Sequence, residues 1–251
     1  MREPFKLLDL FSGIGGFSLG LERSGGFKTV AFCEIDPFCR RVLAKHWTEV
    51  SQYHDVRELT GNQLISDGIA VDAICGGFPC QDVSSAGTGR SIDGERSGLW
   101  WQYRRLISEI RPKVVIVENV AELLGRGFDR VLGSLESLGY DAEWHCIPAS
   151  ALGFPHQRDR VWIVAHAAAL RREKGGRREE SWGRIVWPWI HGRAHAAADA
   201  ANDDEIRSRF VRIVDGVPDR VDRLGALGNA VVPQIPEIIG RAILQSMESE
   251  S

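Results

Sequence analysis

"LLDLFSGIGGFSLGLE", residues Leu7 to Glu22, joins an apolar strand-like run to a turn built on Gly13, Gly15 and Gly16 and then to the start of a helical pattern. Strand, glycine turn and helix in that order form the opening unit of a parallel sheet. A dinucleotide fingerprint would need glycines at 13, 15 and 18, but position 18 is Ser18, so a pyrophosphate cradle loses its third glycine. The remaining glycines still let a ligand approach the backbone, because they lack a Cβ and accept positive φ. A tight turn with no ligand is an equal alternative from this stretch alone.

Along the chain, short apolar runs (KLLDLF, TVAFCEI, DAICGG, KVVIVENV, RVWIVAH) alternate with helix-period stretches (SLGLERSG, DPFCRRVLAKHW, LWWQYRRLISEIRP, FDRVLGSLESLGY). That alternation predicts an α/β protein whose parallel sheet is covered on both faces. After His166 the composition turns to Ala, Arg and Trp with no sustained period, and a helical pattern returns from Gly216. With 251 residues, 43% of them hydrophobic, one large core is expected. A net charge of -3 gives no general attraction for nucleic acid, so any such contact needs a local basic patch. Five cysteines without a C-x-x-C pair fit a reducing compartment and no metal site. No apolar run reaches membrane length and no basic region leads into a cleavage site, which predicts a soluble, cytoplasmic protein.

Polar residues collect at the expected carboxyl ends of these strands. Glu34 ends the second, where a carboxylate can accept both hydroxyls of a ribose. Asp36 precedes Pro37 and reads as a helix N-cap. Asp55 suits the end of a third strand, or a turn. Together they suggest an adenosine without a pyrophosphate, which S-adenosylmethionine fits. Cys80, in "GGFPCQDVSSAG", falls beyond its strand in the crevice where open α/β sheets bind ligands, whereas Cys33, Cys39, Cys75 and Cys146 read as core. The loop after it, Gln81 to Gly98, could close over a substrate or be plain surface. Glu118 and Asn119 tip the next strand; Asn119 could equally cap a helix. Arg158 and Arg160 share one face before the last run, where surface salt bridges are the plainer reading.

Taken in order, Phe11 with Gly13, Gly15 and Gly16, then Pro79-Cys80-Gln81, Glu118-Asn119-Val120, Arg158-x-Arg160 and the closing "GNAVVP" resemble the DNA cytosine-5 methyltransferases of bacterial and phage type, over Lys6 to Ala165 and Gly216 to Ile239. The resemblance implies a Rossmann-like S-adenosylmethionine-dependent methyltransferase fold, with a mostly parallel seven-stranded sheet, helices on both faces and a small target-recognition segment. It divides the chain into a catalytic and cofactor-binding domain (1–165), a reduced recognition segment (166–215) and a C-terminal helical segment returning to the first (216–251). Phe11, Gly13, Ile14, Gly15 and Gly16 would line S-adenosylmethionine; Glu34, with Ile35 beside it, would bind the ribose, Asp55 and Val56 the adenine, and Leu99 and Asn229 would complete the pocket. Glu118 would contact cytosine N3, and Arg158 and Arg160 would steady the base. Gln81, Ser84 and Ser85 would meet DNA from the loop. Arg177, Arg178 and Arg184, interleaved with Trp182, Trp187 and Trp189, suit phosphate contact and stacking; a solvated, partly disordered insert whose tryptophans pack against the main domain is the alternative.

These residue types answer a specific chemical need. Carbon 5 of cytosine has no lone pair, so it becomes nucleophilic only after a thiolate, here that of Cys80, adds to carbon 6. Glu118 would donate to N3 as charge develops there. A stacked base is out of reach, so the implied reaction flips the cytosine from double-stranded DNA. The resemblance also implies a monomer away from membranes, with a restriction endonuclease as an optional partner in a restriction-modification setting. Three departures stand out: His156 stands at the glutamine of the family's glutamine-x-arginine-x-arginine pattern, with Gln157 displaced by one; His166 to Gly228 contains no threonine; and the leucine-threonine-arginine-glutamate-like segment expected before the last motif is not recognisable. A tRNA cytosine-5 methyltransferase and a catalytically silent DNA-binding remnant remain as alternatives.

Overall fold

The computed structural model describes residues 3–79, 98–148, 159–168 and 231–248. Its seven strands are β1 (Phe5–Leu10), β2 (Phe27–Cys33), β3 (Ser51–Tyr53), β4 (Ala73–Gly77), β5 (Val114–Val120), β6 (Tyr140–Pro148) and β7 (Asp159–Ala167). They form one sheet in the order β3-β2-β1-β4-β5-β7-β6. Pairs from β3 to β5 are parallel, while β7 runs antiparallel to both neighbours. The helices are α1 (Gly16–Arg23), α2 (Pro37–His46), α3 (Gly61–Ser66), α4 (Leu99–Ile110), α5 (Phe128–Ser137) and α6 (Gln234–Glu248). Among the described residues no helix is long and apolar enough to cross a membrane.

The five apolar runs of the sequence are β1, β2, β4, β5 and β7. β6 escaped the reading because it is an edge strand: Asp141, Glu143 and His145 interrupt it, and much of it is solvent-facing. The same edge position corrects the reading of Cys146 as core. It is exposed, whereas Cys33, Cys39 and Cys75 are buried as expected.

Strand alternation divides the core into two layers. Leu8, Leu10, Ile74, Val115, Val117 and Ile163 pack with Trp100 and Tyr103 of α4 and Val131 and Leu135 of α5. Leu7, Ala73, Cys75, Ile116 and Val164 pack on the other side with Phe17 and Leu21 of α1 and Ile235, Ile239 and Ile243 of α6. The last helix thus closes back on the first. Glycine makes this possible: a Cβ on Gly16 would strike the Val231 carbonyl oxygen, and one on Gly20 that of Pro233. Buried polar side chains on the α4 side are paired, with Trp100 Nε1 donating to Ser134 Oγ and the Tyr103 hydroxyl to the Ile116 carbonyl, both at 3.1 Å.

Chain order reverses between β1 and β4, which lie side by side. At such a switch point the connections leave in opposite directions and open a crevice beyond the strands' carboxyl ends. β7 is antiparallel, so its amino-terminal end comes to that same edge, with Arg160 opposite Val120. β2 carries one extra residue: Thr29 pairs with Leu7 but Ala31 with Leu8. Such a bulge re-aims the residues after it, here the approach to Glu34.

Candidate active site

The turn after β1 departs from ordinary backbone. Phe11 and Gly13 both have φ 53 and Gly15 has φ 86. For a bulky residue such as Phe11 the left-handed region is strained, on the order of 1–3 kcal/mol, and strain of this kind collects at ligand sites. Local bonds hold it: Ser12 Oγ donates to the Asp9 carbonyl at 2.7 Å and Gly15 N–H to the Ser12 carbonyl at 2.9 Å. Gly15 also has a packing reason, since its Cβ would come within 2.7 Å of the Trp47 ring. That ring is anchored by Nε1 donating to Glu22 Oε2 at 3.0 Å. A Cβ on Gly13, by contrast, would meet nothing within 4 Å, so open space lies above it.

Glu34 faces this turn. Gly13 N–H donates to its Oε2 at 2.7 Å and Asp36 N–H to its Oε1 at 2.8 Å. Two backbone donors fix the carboxylate while leaving each oxygen a further lone pair for a hydroxyl. Ile35 beside it is 53% exposed, an aliphatic surface without protein cover. Asp36 caps α2 as read, accepting from Cys39 N–H at 2.9 Å. Asp55 follows β3, and its carboxylate is taken up by Arg57: Nη2 donates to Oδ2 at 2.6 Å and Nε to Oδ1 at 3.0 Å. These hydrogen bonds hold the Asp55 carboxyl below its usual range. Val56 is buried, and Leu99 opens α4 half-buried against the same core. Fixed carboxylate, exposed aliphatic surface and open glycine turn are complementary to a sugar with two hydroxyls and to a flat apolar base, which fits the adenosine part of S-adenosylmethionine.

Glu118 and Arg160 meet across β5 and β7. Arg160 Nε lies 2.8 Å from Glu118 Oε1, with side chains 23% and 12% exposed. Asn119 is not a helix cap. Its Nδ2 donates to the Phe78 carbonyl at 3.0 Å and its Oδ1 accepts from Val120 N–H at 2.8 Å, which fastens the backbone just ahead of Pro79 to the tip of β5. The expected Cys80, Gln81, Ser84, Ser85, Arg158, Arg177, Arg178, Arg184 and Asn229 lie outside the described residues.

Two residues at the site were not anticipated. Arg105 of α4 donates through Nη2 to the Val56 and Leu59 carbonyls, each at 2.9 Å, and through Nη1 to Glu109 Oε1 at 2.8 Å. It thereby ties down the segment carrying Asp55 and Val56; the arginine and glutamate four apart on a helix were a visible signal. Asp9, fully buried in β1, accepts from Ser18 Oγ at 2.8 Å through Oδ2, while Oδ1 lacks a nitrogen or oxygen partner. Burial pushes its carboxyl up to about 7. The neighbouring Cys75 thiol is also pushed up by burial and keeps its proton. A charged residue inside an apolar strand run was the signal here.

A family model described as C-5 cytosine-specific DNA methylase matches residues 5–195. The chain is 38% identical over 168 residues to the type II methyltransferase M2.BsuMI of Bacillus subtilis (strain 168), which covers 64% of this chain and 41% of that one. It is 36% identical over 166 residues to the type II methyltransferase M.HgiBI of Herpetosiphon aurantiacus, over 64% of this chain and 37% of the relative. The chain therefore spans about two fifths of the length of these curated relatives. Among solved structures, the Entamoeba histolytica methyltransferase EhMeth superposes with a TM-score of 0.69 at 16% identity, covering 98% of this chain and 99% of that one. At that identity the likeness concerns the fold, which is the Rossmann-like methyltransferase architecture.

Proposed function

Since the chain belongs to the C-5 cytosine-specific DNA methylase family, we propose that it transfers a methyl group from S-adenosylmethionine to carbon 5 of a cytosine flipped out of double-stranded DNA. The observation that carries this reading is the Glu118–Arg160 ion pair standing beside the end of β4, two residues after which the chain runs into Pro79 and Cys80.

S-adenosylmethionine, when bound, supplies an electrophilic methyl group. Gly13, Gly15 and Gly16 would form the turn against which it lies, with Phe11 and Ile14 beside them. Glu34 would take the ribose hydroxyls, and Ile35, Asp55, Val56, Leu99 and Asn229 would enclose the base. The Cys80 thiolate adds to carbon 6 of the cytosine, and the electron pair displaced toward N3 is met by a proton from Glu118, which has to be in its protonated form when the base enters. Arg160 Nε holds Oε1 at 2.8 Å, which fixes one end of the carboxyl group. Once the proton has left, the guanidinium stabilises the carboxylate that remains. Carbon 5 takes the methyl as S-adenosylhomocysteine leaves, a base removes the carbon 5 proton, the thiolate is eliminated from carbon 6, and N3 returns its proton to Glu118, which restores the ring. Arg158 steadies the base alongside Arg160.

The basic, Trp-bearing segment within 166–215 is the proposed recognition element, with Arg177, Arg178 and Arg184 on phosphates; Gln81, Ser84 and Ser85 would approach the duplex from the loop after Cys80. We assign the chain to a reducing compartment as a monomer, with a restriction endonuclease as a candidate functional partner. The test is bisulfite sequencing of DNA from a methylation-free bacterial host expressing the chain, beside Cys80→Ala. Protected cytosines in one recurring context with the wild type alone are expected. If none are protected although the protein is folded and binds the cofactor, DNA is the wrong substrate; methyl label appearing in RNA would then replace it.

A further inference from the structure

We propose that Gly77 is a positioning residue for Glu118: its missing side chain leaves the space in which Glu118 Oε2 sits, so that the carboxylate stays on Arg160 and faces the crevice. The inference rests on the reading of Glu118 as the group that meets the base.

Gly77 and Glu118 are directly paired in the parallel register of β4 and β5, so their side-chain directions share a face. A Cβ on Gly77 would lie 2.6 Å from Glu118 Oε2, 3.6 Å from the Glu118 carbonyl oxygen and 3.7 Å from its Cδ. Only the first of these is too close. The carboxylate's other oxygen, Oε1, is held at 2.8 Å by Arg160 Nε. One oxygen is therefore clamped by a cation and the other occupies the volume that any larger residue at 77 would fill.

Neither of the ordinary reasons for glycine applies at this position. Gly77 is not among the glycines with positive φ, so its backbone conformation is open to alanine. Nor does the sheet demand it. At the preceding Gly76 a Cβ would strike the Leu10 carbonyl oxygen, which is fixed backbone, whereas at Gly77 the obstacle is the tip of a flexible side chain. A methyl group there is accommodated by moving the carboxylate, at little cost to the fold and at the expense of the geometry between Glu118, Arg160 and the crevice.

Gly77→Ala in the full chain should keep its melting temperature within a few degrees and its affinity for S-adenosylhomocysteine within about twofold. Methyl transfer to unmethylated genomic DNA should slow about 100-fold, chiefly in kcat, as expected for a displaced general acid. The double variant Gly77→Ala/Glu118→Gln should be no slower than Glu118→Gln alone; additive losses would mean that Gly77 acts elsewhere and would overturn the proposal. An independent readout is the side-chain carboxyl carbon of labelled glutamate, with Glu118 assigned by the resonance lost in Glu118→Gln. Gly77→Ala must move that resonance and its titration midpoint; an unmoved resonance refutes the clearance. If Gly77→Ala does not fold, Gly77→Ala/Glu118→Ala, which removes the obstructing carboxylate, must regain the fold, and failure to do so is equally fatal. Wild type that labels no DNA, or Glu118→Gln as fast as wild type, would sink the functional reading, while the carbon resonance still decides whether Gly77 places the carboxylate.

Discussion

Asp9→Asn should stabilise the protein at neutral pH and leave it unchanged in acid. Asp9 is fully buried between α1 and the sheet, and burial raises its carboxyl from 3.8 to about 7. In the unfolded chain the same group ionises near its ordinary value. A folded-state value above the unfolded one means that the native state holds the proton more tightly, so this contribution to stability is complete below about pH 4 and is lost as pH rises to about 7. The gap of roughly three units corresponds to about 4 kcal/mol at 1.36 kcal/mol per unit. Asparagine is neutral throughout and can still accept the Ser18 Oγ hydrogen bond that Asp9 Oδ2 now receives at 2.8 Å. Urea unfolding of both proteins at several values from pH 4 to 8 isolates the effect, because every other titrating group cancels in the difference. The wild type should lose about 4 kcal/mol relative to Asp9→Asn across that range. Parallel stability curves would show that Asp9 is ionised in the folded protein and that desolvation does not dominate its environment.

Two further outcomes follow from the site. Glu34→Gln turns one end of the side chain into a donor facing either Gly13 N–H or Asp36 N–H, which now give hydrogen bonds of 2.7 and 2.8 Å. With a charge-assisted acceptor lost at about 1.5–3 kcal/mol, S-adenosylhomocysteine should bind roughly 10–100-fold more weakly by calorimetry; unchanged affinity would remove Glu34 from the ribose site. Arg105→Ala strips the Val56 and Leu59 carbonyls of their shared donor, and should weaken the same ligand about tenfold while faster amide exchange appears across residues 55–61. Faster exchange with no change in affinity would show that this segment does not touch the cofactor.

Much was legible from the chain because it depends on local rules. Apolar runs of strand length, the glycine turn after β1, Asp36 followed by Pro37, and Glu34 and Asp55 after their strands are one-dimensional signals, and among the described residues these lie where the sequence places them. The sheet's carboxyl edge collected Phe11, Glu34, Asp55 and Glu118 because parallel βα units bring successive strand ends to one side.

What the tertiary structure alone decided depends on pairing between distant segments. β6 has too little burial to show a pattern, yet its place beside β7 completes the sheet. The reversal of β7 is a property of neighbours and not of its own residues, and it is this reversal that brings Arg160 onto Glu118, forty-two positions earlier in the chain. Asn119 found the Phe78 carbonyl, and Gly77 came to lie under the Glu118 carboxylate, for the same reason: β4 and β5 are adjacent and in register. Residue types and their order along the chain named the chemistry, while hydrogen-bonded register, which no local propensity encodes, set which of those groups touch.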